Sequence, residues 1–543
     1  MKKISLIISS IFFLANISFA QKVKQPVQPK LVVGIVVDQM RYDYLWRYWS
    51  KYSEGGFKRL VGEGFNFKNA NFNYVPTYTA PGHACIYTGT TPSYNGIISN
   101  EWYDRELKKG MYCVSDTTVK PVGTTSISGK MSPKNLLSTT MTDELRLSSN
   151  MNSKVIGVAL KDRGAILPAG RTANAAYWHD PYSDNWITSS FYMAELPVWA
   201  KEFNDKKIGA ALISKPWTTL LPIESYTEST VDDNEYETLF KGELKPVFPH
   251  DLQTLKGTDN EIIRRVPFGN TFTKEFALAA IKGENLGKGS ATDFIAISFS
   301  STDYVGHAFG INAIETEDTY LRLDLDLSEL LQFLDQWTGT DYVLFLTADH
   351  GAAHNPEYAK DQKMEAGEFE QTPMTDALKK YLAITFGSAD LVLSAGSTTI
   401  YLNRELIEKN KLDLALIQQR CLEFVLRFTG VAAALTATEL SKGIERTGLY
   451  RFMQNGFNAK RSPDLMIQLN SGWIDWNTKT GTTHGAAYSY DTHVPLLFFG
   501  KRIPAGYSVE PVFITDIAPT ICTYLNIEFP SGNTGRPLGD VLK

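Results

Sequence analysis

Four apolar runs in this chain each deliver charged residues at or just beyond their C-terminal end, and that pattern restricts the fold more than any other feature. Leu31-Val32-Val33-Gly34-Ile35-Val36-Val37 ends at Asp38. Val155-Ile156-Gly157-Val158-Ala159-Leu160 leads to Lys161 and Arg163. Phe294-Ile295-Ala296-Ile297-Ser298-Phe299 leads toward Asp303, and Tyr342-Val343-Leu344-Phe345-Leu346 leads to Asp349 and His350. Continuous aliphatic runs of this kind mark strands buried on both faces, as in parallel sheets covered by helices. In open α/β sheets, ligands bind at the C-terminal strand ends. The pattern therefore predicts an α/β fold, a central mostly parallel sheet flanked by helices, with its chemistry gathered along one edge.

Helical patterns lie between these runs. Lys274 to Ile281 puts Phe276, Ala277, Ala280 and Ile281 on one face. Glu315 to Trp337 reads as a long helix, although Leu321, Leu323, Leu325 and Leu327 alternate as a strand would. His493 to Phe499 reads as a further strand and Asp516 to Leu525 as a closing helix. The stretches of about 166–285 and 356–475 are rich in Trp, Tyr, Pro and Thr and lack the strand-then-acid pattern. They are expected to be insertions covering the active edge of one catalytic domain, residues 21–543.

Residues 1–20 stand apart. Lys2 and Lys3 precede a largely apolar run from Ile4 to Ile17, and Ser18-Phe19-Ala20 places small residues at −3 and −1. This is the pattern of a secretory signal peptide cut after Ala20. The apolar run is short for a membrane span, so no membrane anchor is expected. Loss of the leader leaves 52 basic against 59 acidic residues, a net charge of −7, which argues against general nucleic-acid binding. Export permits disulfides among Cys85, Cys113, Cys421 and Cys522, but a core this large needs none.

Thr79-Ala80-Pro81-Gly82-His83 places a hydroxyl just ahead of a proline-containing first helical turn. Taken alone, it is an ordinary capped helix. It equally describes a hydroxyl at a helix N-terminus, where free N–H groups and the helix dipole favour a phosphate. Metal-ligand spacing favours the second reading. Asp303-x-x-x-His307, Asp349-His350-Gly351 and His484-Gly485, taken with Asp38, supply three aspartates and three histidines. Imidazole and carboxylate donors suit divalent zinc, and two such sites can clamp the oxygens of an in-line displacement. His83 lies close to Thr79 and can brace it. His179, His250, His354 and His493 read as structural.

These motifs, in this order and at about this spacing, resemble the alkaline phosphatase superfamily over most of the chain beyond the leader. The likeness is strongest to the branch with a threonine nucleophile. That branch includes the nucleotide pyrophosphatase/phosphodiesterases and the phosphate-irrepressible single-chain bacterial alkaline phosphatases. The resemblance implies two Zn2+ ions, one held by Asp303, His307 and His484, the other by Asp38, Asp349 and His350 with the Thr79 oxygen. It implies attack by Thr79 on phosphorus, a covalent phosphothreonine, and a hydrogen bond from Asn100 to a phosphoryl oxygen. Lys161-Asp162-Arg163-Gly164 resembles the lysine and arginine pair of the monoesterases, which the diesterases lack. Extra cations favour a monoester dianion. The sulfatase modification is not available, because Thr79, Pro81 and His83 stand where Cys or Ser, Pro and Arg are needed. The expectation is an exported, periplasmic, monomeric phosphomonoesterase acting on small phosphate monoesters. The alternatives are a phosphodiesterase on the same scaffold and an exported phosphate- or metal-binding protein without turnover.

Overall fold

The structure is a computed structural model and describes residues 28–255, 259–475 and 479–542. The expected signal peptide at 1–20 lies outside these residues. A ten-stranded sheet forms the centre. In chain order its strands are β1 (Leu31–Val37), β2 (Phe65–Phe67), β3 (Pro121–Val122), β4 (Val155–Ala159), β5 (Ala175–Asp180), β6 (Asn185–Ser189), β7 (Asp293–Phe299), β8 (Tyr342–Thr347), β9 (Leu496–Gly500) and β10 (Gly506–Ser508). Across the sheet they run β10-β2-β9-β8-β1-β7-β4-β5-β6-β3. The five central strands, β8-β1-β7-β4-β5, are parallel. Leu31 faces both Asp293 and Tyr342, so β1, β7 and β8 end together and Asp38, Asp303 and Asp349 emerge on one edge. Antiparallel strands close both flanks.

Burial explains why the expected strands form. Every residue of β1, β4, β7 and β8 is buried, as continuous apolar runs require when helices cover both faces. The helix expected near Lys274–Ile281 is Phe268–Gly283, and the long helix is Ile314–Thr338. In the latter, Leu323, Leu327, Leu330, Leu331 and Leu334 are buried at helical spacing. Leu325, the leucine that made the pattern look strand-like, is 42% exposed. The closing helix is Ile517–Leu525.

Two expectations differ from the structure. His493–Phe499 is not one strand. His493–Val494 pairs with Ala70–Asn71 in a small separate sheet, and Leu496–Gly500 joins the main sheet. Pro495 divides them, since it has no N–H to give to a ladder. The stretch 166–285 is also not wholly an insertion, because it supplies β5 and β6 of the main sheet and a helix packed on β7. Strand β5, Ala-Ala-Tyr-Trp-His-Asp, is fully buried but has no β-branched residue, so its composition hides it.

The stretch 356–475 builds a four-stranded sheet of its own, ordered Val392–Ala395, Thr399–Leu402, Leu465–Leu469 and Val431–Thr436. A separate core of Leu378, Leu382, Ile400, Ile417 and Leu465 supports it. Arg105, outside the stretch, ties it down by donating to Ser462 O at 2.8 Å and Asp464 Oδ2 at 3.0 Å. All four cysteines are buried and unpaired.

Candidate active site

Thr79 opens helix α1 (Thr79–Thr88) as its first helical residue; Tyr78 occupies the capping position, and no side chain caps the helix there. The hydroxyl is therefore not spent on capping. Thr79 Oγ1 lies 3.5 Å from His350 Nε2. Pro81 falls within the first turn, where its missing N–H costs nothing. Gly82 is required by packing, because a Cβ there would lie 2.4 Å from Asp349 O and 2.7 Å from Asp349 Cβ. The short side chains of this motif thus let the helix start rest directly on the β8 strand end.

Asp38 follows β1, and Asp349 and His350 follow β8. Asp303 and His307 lie four apart on helix α2 (Ser301–Phe309), so both project from one face. His484 comes from a loop. Two three-residue groups converge closely enough to hold a metal, Asp38, Asp349 and His350, and Asp303, His350 and His484. His307 Nε2 lies 3.2 Å from Asp303 Oδ1, and His484 Nε2 lies 3.5 Å from the same oxygen. His350 stands between the two groups, its ring stacked on His484 with centroids 3.5 Å apart.

Each histidine is oriented by its other nitrogen. His307 Nδ1 meets Thr482 O at 2.7 Å, His484 Nδ1 meets Thr77 O at 2.7 Å, and His350 Nδ1 meets Gly351 O at 3.0 Å. A carbonyl can only accept, so each Nδ1 carries a proton and each Nε2 is turned toward the carboxylates, the direction from which it would meet a metal. This is how metal-binding imidazoles are set. Burial pushes His350 down to about 3, which keeps it in the neutral form a metal needs.

The charge balance points the same way. Burial, together with Asp303 and Asp349 nearby, pushes the Asp38 carboxyl well above the usual range. Burial also opposes the Asp303 carboxylate, but His307 and Lys161 outweigh it and hold the group well below the usual range. Lys161 Nζ donates to Asp38 Oδ2 at 2.7 Å and Asp303 Oδ2 at 2.5 Å. One ammonium among three buried carboxylates leaves negative charge uncompensated. Asp38 Oδ1 and Asp349 Oδ2 are buried without hydrogen-bond partners. Oxygen and imidazole donors around orphaned carboxylate oxygens fit divalent metal ions.

Lys161, Asn100 and Arg163 are placed differently. Lys161 joins both carboxylate groups and forms no surface ion pair. Asn100 Oδ1 accepts the Ala80 N–H at 2.9 Å, which anchors this side chain at the start of α1. Arg163 is turned to Tyr112, donating from Nη1 to its hydroxyl at 3.1 Å, and its buried Nε has no partner. His83 braces the nucleophile's turn: Nδ1 meets Thr79 O at 2.9 Å and Nε2 meets Ser298 Oγ at 2.9 Å.

Sequence reasoning missed Gln39. Its backbone N–H donates to Asp349 Oδ1 at 3.1 Å, and its side-chain Nε2 donates to Asp303 Oδ1 at 2.8 Å. To reach both, it adopts φ +64°, a left-handed conformation rare outside glycine. Only its position after Asp38 could have drawn notice.

The family model for type I phosphodiesterase / nucleotide pyrophosphatase matches residues 32–491. The chain belongs to that family. Among its relatives is a protein of Myroides odoratus named calcium-transporting ATPase, 47% identical over 97% of each chain. The alkaline phosphatase PafA of Elizabethkingia meningoseptica is 45% identical over 96% of each. The crystal structure of wild-type PafA superposes with a TM-score of 0.92, covering 95% of this chain and 99% of that one. Within the type I phosphodiesterase family, this chain is a hydrolase of the alkaline phosphatase kind, with the α/β fold of that superfamily.

Proposed function

We propose that the protein is an exported phosphomonoesterase that uses two zinc ions and passes through a covalent phosphothreonine on Thr79. The observation that carries this reading is the uncapped Thr79 hydroxyl, held at a helix N-terminus beside His350 and two groups of metal-ligand side chains. Asp303, His307 and His484 would hold one ion; Asp38, Asp349, His350 and Thr79 Oγ1 would hold the other. Bound zinc polarises phosphoryl oxygens and lowers the pKa of a coordinated hydroxyl.

The protein's own part follows from its geometry. Thr79 Oγ1 bonds to phosphorus while the ester oxygen departs with the bonding pair, and water later cleaves the Thr79–phosphorus bond to release phosphate. The Thr79 N–H at the start of α1 and the Asn100 amide would donate to non-bridging oxygens. Lys161 and Arg163 add positive charge that a monoester dianion rewards more than a diester monoanion. This favours a monoesterase over a diesterase on the same scaffold. The ATPase in the Myroides relative's name is compatible, since the terminal phosphoryl group of ATP is also a dianion.

The test is an acid-quenched reaction with labelled phosphate ester. A phosphothreonine at position 79, lost together with turnover in Thr79→Ala, is expected. Near-wild-type turnover in Thr79→Ala would remove the nucleophile assignment, and a wild type with neither turnover nor phosphothreonine would revive the binding protein without turnover. Mass spectrometry of the exported protein should find Gln21 at its N-terminus.

A further inference from the structure

A cavity of about 330 Å³ lies between the hairpin at 101–112 and the sheet built by residues 356–475. Trp102 and Tyr103 line it from the hairpin, and Tyr401 and the turn at 394–399 line it from the sheet. A cavity of this size takes a small organic group, and walls rich in aromatic side chains favour a planar one.

The cavity adjoins the candidate active site at two points, because its wall includes Tyr78 and Ser99. Tyr78 precedes Thr79, and Ser99 precedes Asn100, whose Oδ1 accepts the Ala80 N–H at 2.9 Å. The Tyr78 ring also stands edge-on to His484, with centroids 5.5 Å apart and planes at 83°. In the assignment proposed above, His484 belongs to the metal-ligand group that does not include Thr79. An in-line displacement sends the leaving oxygen away from the attacking one, and so toward that group. Tyr78 thus touches both the leaving side of the site and the cavity.

The charges on the wall have one sign. Glu101 and Asp475 line the cavity, and no lysine, arginine or histidine does. Among the described residues neither carboxylate forms an ion pair. Arg105 and Arg461 sit over the Tyr401 and Trp102 rings, 4.9 and 5.1 Å from the centroids, but neither lines the cavity. Arg105 pairs with Asp464, and Arg461 donates to Gly96 O at 2.6 Å and Asn135 O at 2.7 Å. A negatively charged occupant would meet two unpaired carboxylates and no cation on the wall, and repulsion of that kind is a source of specificity.

We propose that this cavity holds the leaving alcohol of the phosphate monoester and favours an aromatic alcohol without negative charge. The inference rests on the phosphomonoesterase reading and adds to it the part of the substrate that the metal-ligand groups do not touch.

The experiment measures kcat/KM of the full-length mature protein, saturated with zinc, on naphthyl phosphate, para-carboxyphenyl phosphate and methyl phosphate. Wild type is compared with Tyr103→Ala and with the double variant Glu101→Gln, Asp475→Asn, each on the same ester, so that the intrinsic reactivity of the esters cancels. Tyr103→Ala should lower the value for naphthyl phosphate about 2- to 10-fold and leave methyl phosphate unchanged. The double variant should raise the value for para-carboxyphenyl phosphate about 2- to 5-fold and leave naphthyl phosphate unchanged. Changes of equal size on all three esters would overturn the proposal and leave the phosphatase reading intact. A wild type that turns over none of them would overturn the phosphatase reading, and this inference with it. If Tyr103→Ala does not fold, the double variant, altered at two exposed side chains, decides alone by the same comparison.

Discussion

Gln39, like Lys161, bonds to both metal-ligand groups, and its two bonds can be separated. Its side chain reaches Asp303 at 2.8 Å, and its backbone N–H reaches Asp349 at 3.1 Å. Gln39→Gly removes the first and keeps the second, and it relieves the left-handed backbone at φ +64°. A hydrogen bond to a charged group contributes about 1.5–3 kcal/mol. Without it, the Asp303–His307–His484 group should bind zinc about 10- to 150-fold more weakly, in line with the roughly 10- to 100-fold cost of losing a residue that orients a metal ligand. The other group keeps its backbone donor and should be unchanged. The relieved backbone would raise stability by about 1 kcal/mol. The assay is a zinc titration of metal-free protein against a competing chelator, resolved into two steps, with thermal unfolding of the metal-free forms alongside. One step displaced and one unmoved is the expected result. Two steps displaced equally, or none displaced, would show that Gln39 does not orient Asp303 selectively.

Other consequences can be checked as directly. Changing Lys161 and Arg163 together to Ala should reduce kcat/KM for an aryl phosphate monoester far more than for the matched diester; equal losses would make the pair structural. Gly82→Ala drives a Cβ into Asp349 O at 2.4 Å, so helix α1 must shift, and turnover should fall by orders of magnitude with the zinc ligands themselves unaltered. A normal rate would mean that the helix start is not pressed on the strand end as described. In zinc-free protein, His350 is depressed from 6.5 to about 3 and His354 from 6.5 to about 4 by burial. At these two histidines the unfolded chain binds more protons than the folded one, so their contribution to stability declines as pH falls from about 6.5 toward 3, while Asp491, raised by burial to about 7, and Asp326, raised to about 6, act with the opposite sign. Thermal unfolding of wild type and His354→Gln across pH 4–7 isolates the histidine part: the variant should lose less stability on acidification, and identical profiles would contradict the buried, neutral His354.

Much of this architecture was legible in the chain itself. The runs ending at Asp38, Asp303 and Asp349 are readable because a strand buried on both faces must be continuously apolar, and a charged residue can follow only where the strand leaves the core. The spacing of Asp303 and His307 is readable because four residues make about one helical turn. Strand β5 was hidden, since Tyr177, Trp178 and His179 do not form an aliphatic run, and the break at Pro495 was passed over within an apolar stretch.

The amino-acid sequence thus determined the central strands β1, β4, β7 and β8, the edge at which they end and the residues able to ligate metal, because burial periodicity and ligand chemistry are local properties. Tertiary structure alone decided that Lys161 joins Asp38 to Asp303 while Arg163 turns to Tyr112, that Gln39 bonds to both groups, and that Tyr78 touches both His484 and an aromatic-walled cavity. These are contacts between residues far apart in the chain. Their energies depend on what each polar atom meets once water is excluded, and no local pattern records that.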